Sequence, residues 1–250
     1  MRLSVVIPAL NEASSLPETL RDLTDALEKE EIPYEIIVAD DGSTDGTADA
    51  VKAFGAQNNK VRVVQNTGRR GFGMAVRRGL HEISGDAVAV VMADGSDSAD
   101  DLVRYYGRVR AGADCVFGSR FMKGSKVIDY PRHKLLLNRM ANLFIRVVFG
   151  LHCNDITNAF KMYRREVIEQ MYPLISPHFN LTVEMPLKAV VRGFNYEVIP
   201  ISWKNRKYGV SKLKIKEMGS RYLFIVLYLL LEKYLARGDY RRRSQSTTNA

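Results

Sequence analysis

The sequence predicts an α/β fold: a mostly parallel sheet with helices on both faces, followed by an amphipathic C-terminal helix. The first half alternates short, β-branched apolar runs with helical stripes, the pattern of βαβ units. Several of those apolar runs end in acids, which places the chemistry at the carboxyl edge of an open sheet. The chain has 250 residues, 46% hydrophobic and 26% charged, enough to bury a sizeable core.

Leu3–Leu10 predicts the first strand. Glu12–Glu31, with Leu16, Leu20, Leu23 and Leu27 at helical spacing, predicts the first helix. Strands follow at Glu35–Ala39, Val61–Val64, Ala87–Val91 and Asp114–Gly118, separated by helices at Ala48–Phe54, Met74–Ile83 and Asp100–Arg110. Beyond that, Phe121–Tyr130 is expected as a loop. Leu135–Phe149 is a helix with Leu136, Met140, Leu143, Phe144 and Val147 on one side. A short strand (Ala159–Tyr163), two helices (Arg165–Tyr172 and Leu181–Val191) and a strand over Tyr196–Trp203 complete the body. Asn205–Lys212 is a polar loop, Leu213–Ala236 a long helix, and an Arg/Ser/Thr/Asn tail is expected to be disordered.

Charge is unevenly spread. Residues 1–125 hold 15 Lys+Arg against 19 Asp+Glu, a net −4, and residues 126–250 hold 22 against 9, a net +13. The second half therefore suits a phosphate-rich or anionic-membrane partner. Nucleic acid is ranked below these, because there is no zinc-finger spacing and no RNA-recognition signature. Cys115 and Cys153 stand alone, as ordinary buried thiols of a reducing compartment do. Met1-Arg2 runs straight into Leu3–Leu10, which is too short and Pro-marked for a signal peptide, and no apolar stretch reaches the ~20 residues of a membrane span.

Three loops are expected to meet above the sheet: Pro8-Ala9-Leu10-Asn11-Glu12, Asp40-Asp41-Gly42-Ser43-Thr44-Asp45-Gly46, and Met92-Ala93-Asp94-Gly95-Ser96-Asp97. Hard carboxylate oxygens there suit Mg²⁺ or Mn²⁺ carrying a nucleotide diphosphate. The bland alternatives are a tight turn at Asp40–Ser43 and a helix cap by Asp97 or Ser98. Gly68-Arg69-Arg70-Gly71-Phe72-Gly73 lacks the P-loop Lys-Ser/Thr and the dinucleotide fingerprint, so it is a tight turn opening a helix, with a phosphate role for Arg69 or Arg70 as the weaker option. Asn205–Lys212 places three cations around Gly209, either to close over a diphosphate or as a solvated basic turn.

Together these segments resemble family 2 glycosyltransferases. The resemblance is carried in order by Pro8-Ala9-x-Asn11-Glu12, Asp40-Asp41-Gly42-Ser43-x-Asp45-Gly46-Thr47, the acid loop, Gly118-Ser119-Arg120-Phe121, Asp155-Ile156-Thr157-Asn158-Ala159-Phe160-Lys161-Met162-Tyr163-Arg164 and Arg206-x-x-Gly209-x-Ser211-Lys212. It spans roughly residues 3–216 and is nearest to dolichyl-phosphate mannosyltransferases and their bacterial polyprenyl-phosphate relatives. It implies a GT-A fold, a GDP- or UDP-sugar donor, Mg²⁺ or Mn²⁺, and inverting transfer to a polyprenyl or dolichyl phosphate.

Carried over, Pro8, Leu10, Glu12, Ala39 and Asp41 would hold the donor nucleotide, with Ala93 and Asp94 at the metal and diphosphate. Asp94 and Asp97 are the metal candidates; Arg120, Arg206 and Lys212 would contact phosphates; Asp94, Arg206 and Lys212 carry catalysis. Arg120, Lys134 and Asn138 would meet the acceptor phosphate. The chain then divides into a donor half (1–125), an acceptor half (126–212) and a membrane-facing or oligomerising helix with its tail (213–250). A homo-oligomer is thereby left open. The implied location is cytoplasmic, peripheral at the inner face of the membrane.

Two positions depart from the family pattern. Met92 stands where an Asp is usual, and a thioether is a poor ligand for Mg²⁺ or Mn²⁺. Lys134 and Asn138 stand where relatives place a basic residue and, four later, a Ser. Two further readings follow. One is transfer to a saccharide or other hydroxyl, which needs a base, for which Asp97 and Glu184 are the candidates. The other is a non-catalytic nucleotide-sugar-binding homologue.

Overall fold

A computed structural model describes residues 1–205 and 215–242. The predicted alternation is present as β1 (Leu3–Ala9), α1 (Leu16–Lys29), β2 (Tyr34–Asp40), α2 (Thr47–Gln57), β3 (Val61–Gln65), α3 (Phe72–Leu80), β4 (Ala87–Val90), α4 (Ala99–Arg110) and β5 (Cys115–Ser119). Then come β6 (Lys126–Ile128), α5 (Arg132–Phe149), β7 (Lys161–Arg164), α6 (Arg165–Gln170), α7 (Leu181–Val191), β8 (Tyr196–Pro200), β9 (Ser202–Lys204) and α8 (Ile215–Leu235).

The main sheet has the order β3-β2-β1-β4-β7-β5-β8. All its pairings are parallel except those of β7, which runs antiparallel between β4 and β5. The carboxyl ends of β1, β2, β4 and β5 therefore share an edge with the amino end of β7. This brings Asp155–Ala159 to the same rim as the three acid-bearing loops. β1, β2, β4 and β5 are buried throughout, as continuous apolar runs in a two-sided sheet should be.

Three boundaries differ from the sequence expectation. The first helix begins at Leu16, not Glu12, because residues 12–15 form a turn in which the Leu16 N–H reaches the Glu12 carbonyl; Pro17 sits in the first turn, where its missing N–H costs nothing. Phe121–Tyr130 contains β6, which pairs in parallel with β9 in a separate ribbon. The expected strand over Tyr196–Trp203 is accordingly two strands. At Ile201 the N–H still bonds Ser119 of the main sheet, while the carbonyl accepts from Lys126 of the ribbon. Runs of three residues are too short to carry a readable period.

The last helix is two-faced. Ile225, Val226 and Leu229 are buried in the core cluster shared with α7, while Leu223, Phe224, Leu227 and Leu231 are at least half exposed. It is fastened to the end of α7 by the buried Arg192–Glu232 pair at 2.8 Å, while Lys188, paired with Glu184 inside α7, lies 5.6 Å from the Tyr228 ring of α8. No helix among the described residues is long and apolar enough to cross a membrane. Cys115 and Cys153 are both buried and unpaired.

Gly118 tests the sheet packing. A Cβ there would overlap the Tyr105 hydroxyl and lie 2.8 Å from Ile201, so Gly118→Ala should lower stability by about 1–3 kcal/mol in urea denaturation, as overpacking does.

Candidate active site

The loops after β1 and β2 are buttoned together by short polar side chains. Asn11, in the left-handed region, accepts from the Thr44 N–H at 2.8 Å and donates its own N–H to Ser43 at 2.9 Å. The Glu12 N–H reaches Thr47 Oγ1 and the Ala13 N–H reaches Asp45. Most of the Asp40–Thr47 motif therefore builds the rim. Asp41 is the member that lines the cleft. Its carboxylate accepts from Asn66 Nδ2 at 2.6 Å and from the Gly71 N–H at 2.8 Å. Gly71 has φ +146°, and a Cβ there would strike Pro177 and His178, so only glycine fits this turn into α3.

The acid loop follows β4. Asp94 Oδ1 accepts the Ser96 N–H, and Asp97 Oδ2 accepts the Met92 N–H at 3.0 Å. The helix-cap alternative fails here: Ser98 is the residue before α4, and no side chain caps that helix. Burial pushes the Asp97 carboxyl up to about 7; the Met92 N–H opposes this, and the nearby Asp94 charge adds to it. Two crowded carboxylates on a cleft wall are a donor set that suits a divalent cation. Among the described residues no three His, Cys, Asp or Glu side chains are arranged to hold a metal. The rest of an octahedral shell would therefore fall to phosphate oxygens and water.

Arg120, expected at a phosphate, is engaged inside the protein. Its Nε and Nη2 form a fork on Asp155, both at 2.8 Å, and its backbone N–H donates to the same carboxylate. The side chains are 8% and 0% exposed. Burial works against the charge, but Asp155 outweighs it and raises the Arg120 pKa. The guanidinium also lies 5.4–5.9 Å from the rings of Phe121, Tyr130 and Trp203. Behind it Lys161 is fully enclosed, and burial lowers its pKa to about 8.

One cleft of about 660 Å³ gathers the predicted residues Pro8, Leu10, Glu12, Asp41, Asp94, Asp97, Arg120, Lys134 and Asn138. Ala39 and Ala93 are not on its wall. Ala39 packs with Ile37, Val64 and Ala75, and Ala93 is buried with its carbonyl held by Thr19. Asn138 gives its amide to Tyr130 and accepts from Thr157. Glu184, once a candidate base, is sealed in the core by Lys188 and the N–H groups of Ile175 and Ser176. Arg206 and Lys212, the basic loop around Gly209 and the last residues of the tail lie outside the described residues.

The sequence missed His178, Phe179, Tyr130, Trp203 and Tyr222 as cleft residues. His178, which lies outside every sequence motif named above, reaches the wall because Phe179 stacks on Phe72 at 4.3 Å and the Gly73 N–H bonds the Pro177 carbonyl. A signal existed in the glycines at 71 and 73, where a Cβ would meet the backbone of residues 176–178.

A cleft at the carboxyl edge of such a sheet, with Asp41 and the paired acids of the loop after β4 on its wall, is where an open α/β fold places its ligand. The sequence profile described as glycosyl transferase family 2 matches residues 4–172, and the chain belongs to that family. It is 34% identical over 218 residues to the polyprenol monophosphomannose synthase of Mycolicibacterium smegmatis, covering 85% of this chain and 81% of that relative. It is 31% identical to the undecaprenyl-phosphate mannosyltransferase of Micrococcus luteus, over 85% and 88%. Glucosyl-3-phosphoglycerate synthase from Mycobacterium tuberculosis, solved with Mn²⁺, UDP and glucosyl-3-phosphoglycerate, shares the fold with a TM-score of 0.69 at 21% identity, over 93% of this chain and 79% of that one. The fold is GT-A, and the chain is a glycosyltransferase.

Asp155→Ala should cost about 3–5 kcal/mol, because it strands the Arg120 charge in the interior. Urea denaturation measures this, and a loss below about 1 kcal/mol would show the pair to be dispensable.

Proposed function

We propose that this glycosyltransferase moves a hexose, mannose in the first instance, from a GDP- or UDP-sugar to the phosphate of a polyprenyl phosphate, with inversion at the anomeric carbon. The observation that carries the reading is a single cleft whose wall holds two chemically different sets of groups. Asp41, Asp94 and Asp97 are the acids on it, and Lys134, Leu137, Asn138 and Tyr222 supply basic, apolar and polar surface. The names of the two relatives, one a polyprenol monophosphomannose synthase and one an undecaprenyl-phosphate mannosyltransferase, support the same acceptor class.

Pro8, Leu10 and Glu12 flank the nucleotide, and Asp41, fixed by Asn66 and Gly71, accepts from the N–H groups of the base. Asp94 and Asp97 would hold Mg²⁺ or Mn²⁺, which when bound offsets the charge of the donor diphosphate. The Met92 sulfur contributes nothing to such an ion. Arg206 and Lys212 would close on the departing diphosphate. Lys134, which makes no ion pair among the described residues, meets the acceptor phosphate. Arg120 acts there by holding the wall rather than by a free fork.

A phosphate monoester has a second pKa of about 6, so its oxygen is ready to attack at neutral pH without a strong base. A hydroxyl acceptor would need one, and of the two candidates Glu184 is sealed while Asp97 stands beside Asp94 at the metal position. Catalysis then rests on alignment and charge neutralisation. The reading sets the enzyme at an anionic membrane on its cytoplasmic face, with the outer side of α8 toward the lipid.

A panel of GDP- and UDP-sugars with polyprenyl phosphate, run with Mg²⁺, Mn²⁺ and chelator, should give product with one donor class and a metal. Asp94→Asn and Arg206→Ala should each lower kcat by about 10²–10³-fold while thermal unfolding is unchanged. Near-normal turnover in either would remove that residue from the mechanism. Met92→Asp should tighten Mn²⁺ binding at least about tenfold in calorimetric titration, since it adds a third carboxylate near the pair.

A further inference from the structure

Asn138 brings an amide to the cleft wall, and which of its two ends is free for a ligand is decided one turn further along α5. Asn142 is 2% exposed and is not on that wall. Its Oδ1 accepts the Thr157 backbone N–H at 3.2 Å. A main-chain N–H can only donate, so this contact fixes which end of the Asn142 amide is oxygen and which is nitrogen. The Asn142 Nδ2 protons are then shared among the Asn138 carbonyl at 2.9 Å, Thr157 Oγ1 at 2.9 Å and Asn138 Oδ1. Thr157 turns its hydroxyl proton to the same Asn138 Oδ1 at 3.0 Å. Two donors therefore hold the oxygen end of Asn138 toward the protein.

The nitrogen end is left for the cleft. One Asn138 Nδ2 proton goes to the Tyr130 hydroxyl at 3.1 Å, and the second meets no acceptor among the described residues. Because the Tyr130 oxygen accepts there, its own proton is available to a ligand. Lys134 stands one turn before Asn138 on α5, and all three side chains line the cleft. This stretch of wall thus offers an ammonium and two neutral donors. An Asn138 amide turned the other way would place a carbonyl oxygen among them and repel an oxyanion. Thr157 lies two residues from Asp155, so the segment that holds Arg120 also sets Asn138.

We infer that Asn142 is a positioning residue for the acceptor: with Thr157 it locks the Asn138 amide so that Asn138 Nδ2 and the Tyr130 hydroxyl donate to the acceptor's phosphate beside Lys134. This rests on the polyprenyl-phosphate reading. The test uses steady-state kinetics of the full chain. Asn142→Asp keeps the side-chain shape and the contact with the Thr157 N–H but has no proton to give, so the Asn138 amide should turn over to meet it. KM for polyprenyl phosphate should rise about tenfold or more, as loss of a hydrogen bond to a charged group does, while KM for the nucleotide sugar is unchanged. In an Asn138→Ser background, where the hydroxyl rotates to donate in either arrangement, adding Asn142→Asp should raise the acceptor KM no further. Thr157→Val removes one donor to Asn138 Oδ1 without burying a charge, and should raise the same KM about threefold even if Asn142→Asp does not fold. A fall in kcat alone, or an equal rise in both KM values, overturns the proposal, because the network would then serve only to hold the fold. So does an equal effect of Asn142→Asp with and without Asn138→Ser. An active parent whose variants keep its acceptor KM removes the positioning role alone. A parent that turns over no polyprenyl phosphate removes the acceptor reading, and the positioning role with it.

Discussion

A guanidinium and a carboxylate are buried together where β5 ends, and three segments of the cleft wall meet on that pair. Arg120 belongs to the loop leaving β5, and Asp155 to the segment that leads into β7. Removing two charges from water is unfavourable by itself. Here the cost is offset by a two-point fork, a third bond from the Arg120 backbone and three aromatic rings around the cation. Those rings come from three places: Phe121 beside the arginine, Tyr130 just before α5, and Trp203 on β9. Trp203 in turn bridges to Asp97 in the acid loop. The pair thus couples the acid loop, the small ribbon and the start of α5 through contacts on one side chain.

Two parts of the cleft wall are built by different means. Around Asp41 it is backbone held by short polar side chains, and it includes few groups with rotational freedom. Asp41 has both oxygens pinned, and the Asn11–Thr44 clasp fixes the neighbouring loop. Such a rim is set before a ligand arrives, which spares the ordering cost of binding. Around Tyr130, Leu137 and Asn138 the wall is made of helix sides and rings, with an apolar surface continuing outward along α5.

Legibility in the sequence follows the range of the interactions concerned. Leu3–Ala9, Tyr34–Asp40 and Ala87–Val90 are buried on both faces, so their apolar runs announced strands and the acids behind them announced the rim. Asp94 and Asp97 were legible for the same reason. The fate of Arg120 was not, because its partner lies thirty-five positions along the chain and nothing local marks it. His178 and Phe179 enter the cleft only through the stack on Phe72 and the glycine contacts of α3. The stripe on α5 could be seen as a stripe, but a periodic pattern says that a face is apolar and not what covers it. In the last helix, which apolar side chains turn inward is fixed by packing against α7, with Ile225, Val226 and Leu229 inside and Phe224 and Leu227 outside.

The placement of β7 also orders the chain in time. β3, β2, β1 and β4 are neighbours in space and come from the first ninety residues, so they can pair as soon as they are synthesised. β5 ends at Ser119 but has no strand to join: β4 is not its neighbour, and β7 does not begin until Lys161. The nascent chain must therefore carry an unpaired apolar strand while α5 is made. Long-range pairing of that kind is slow and exposes an aggregation-prone edge. The cleft wall around Arg120 and Asp155 consequently forms late in translation, and the exposed apolar helix α5 emerges before the sheet is complete.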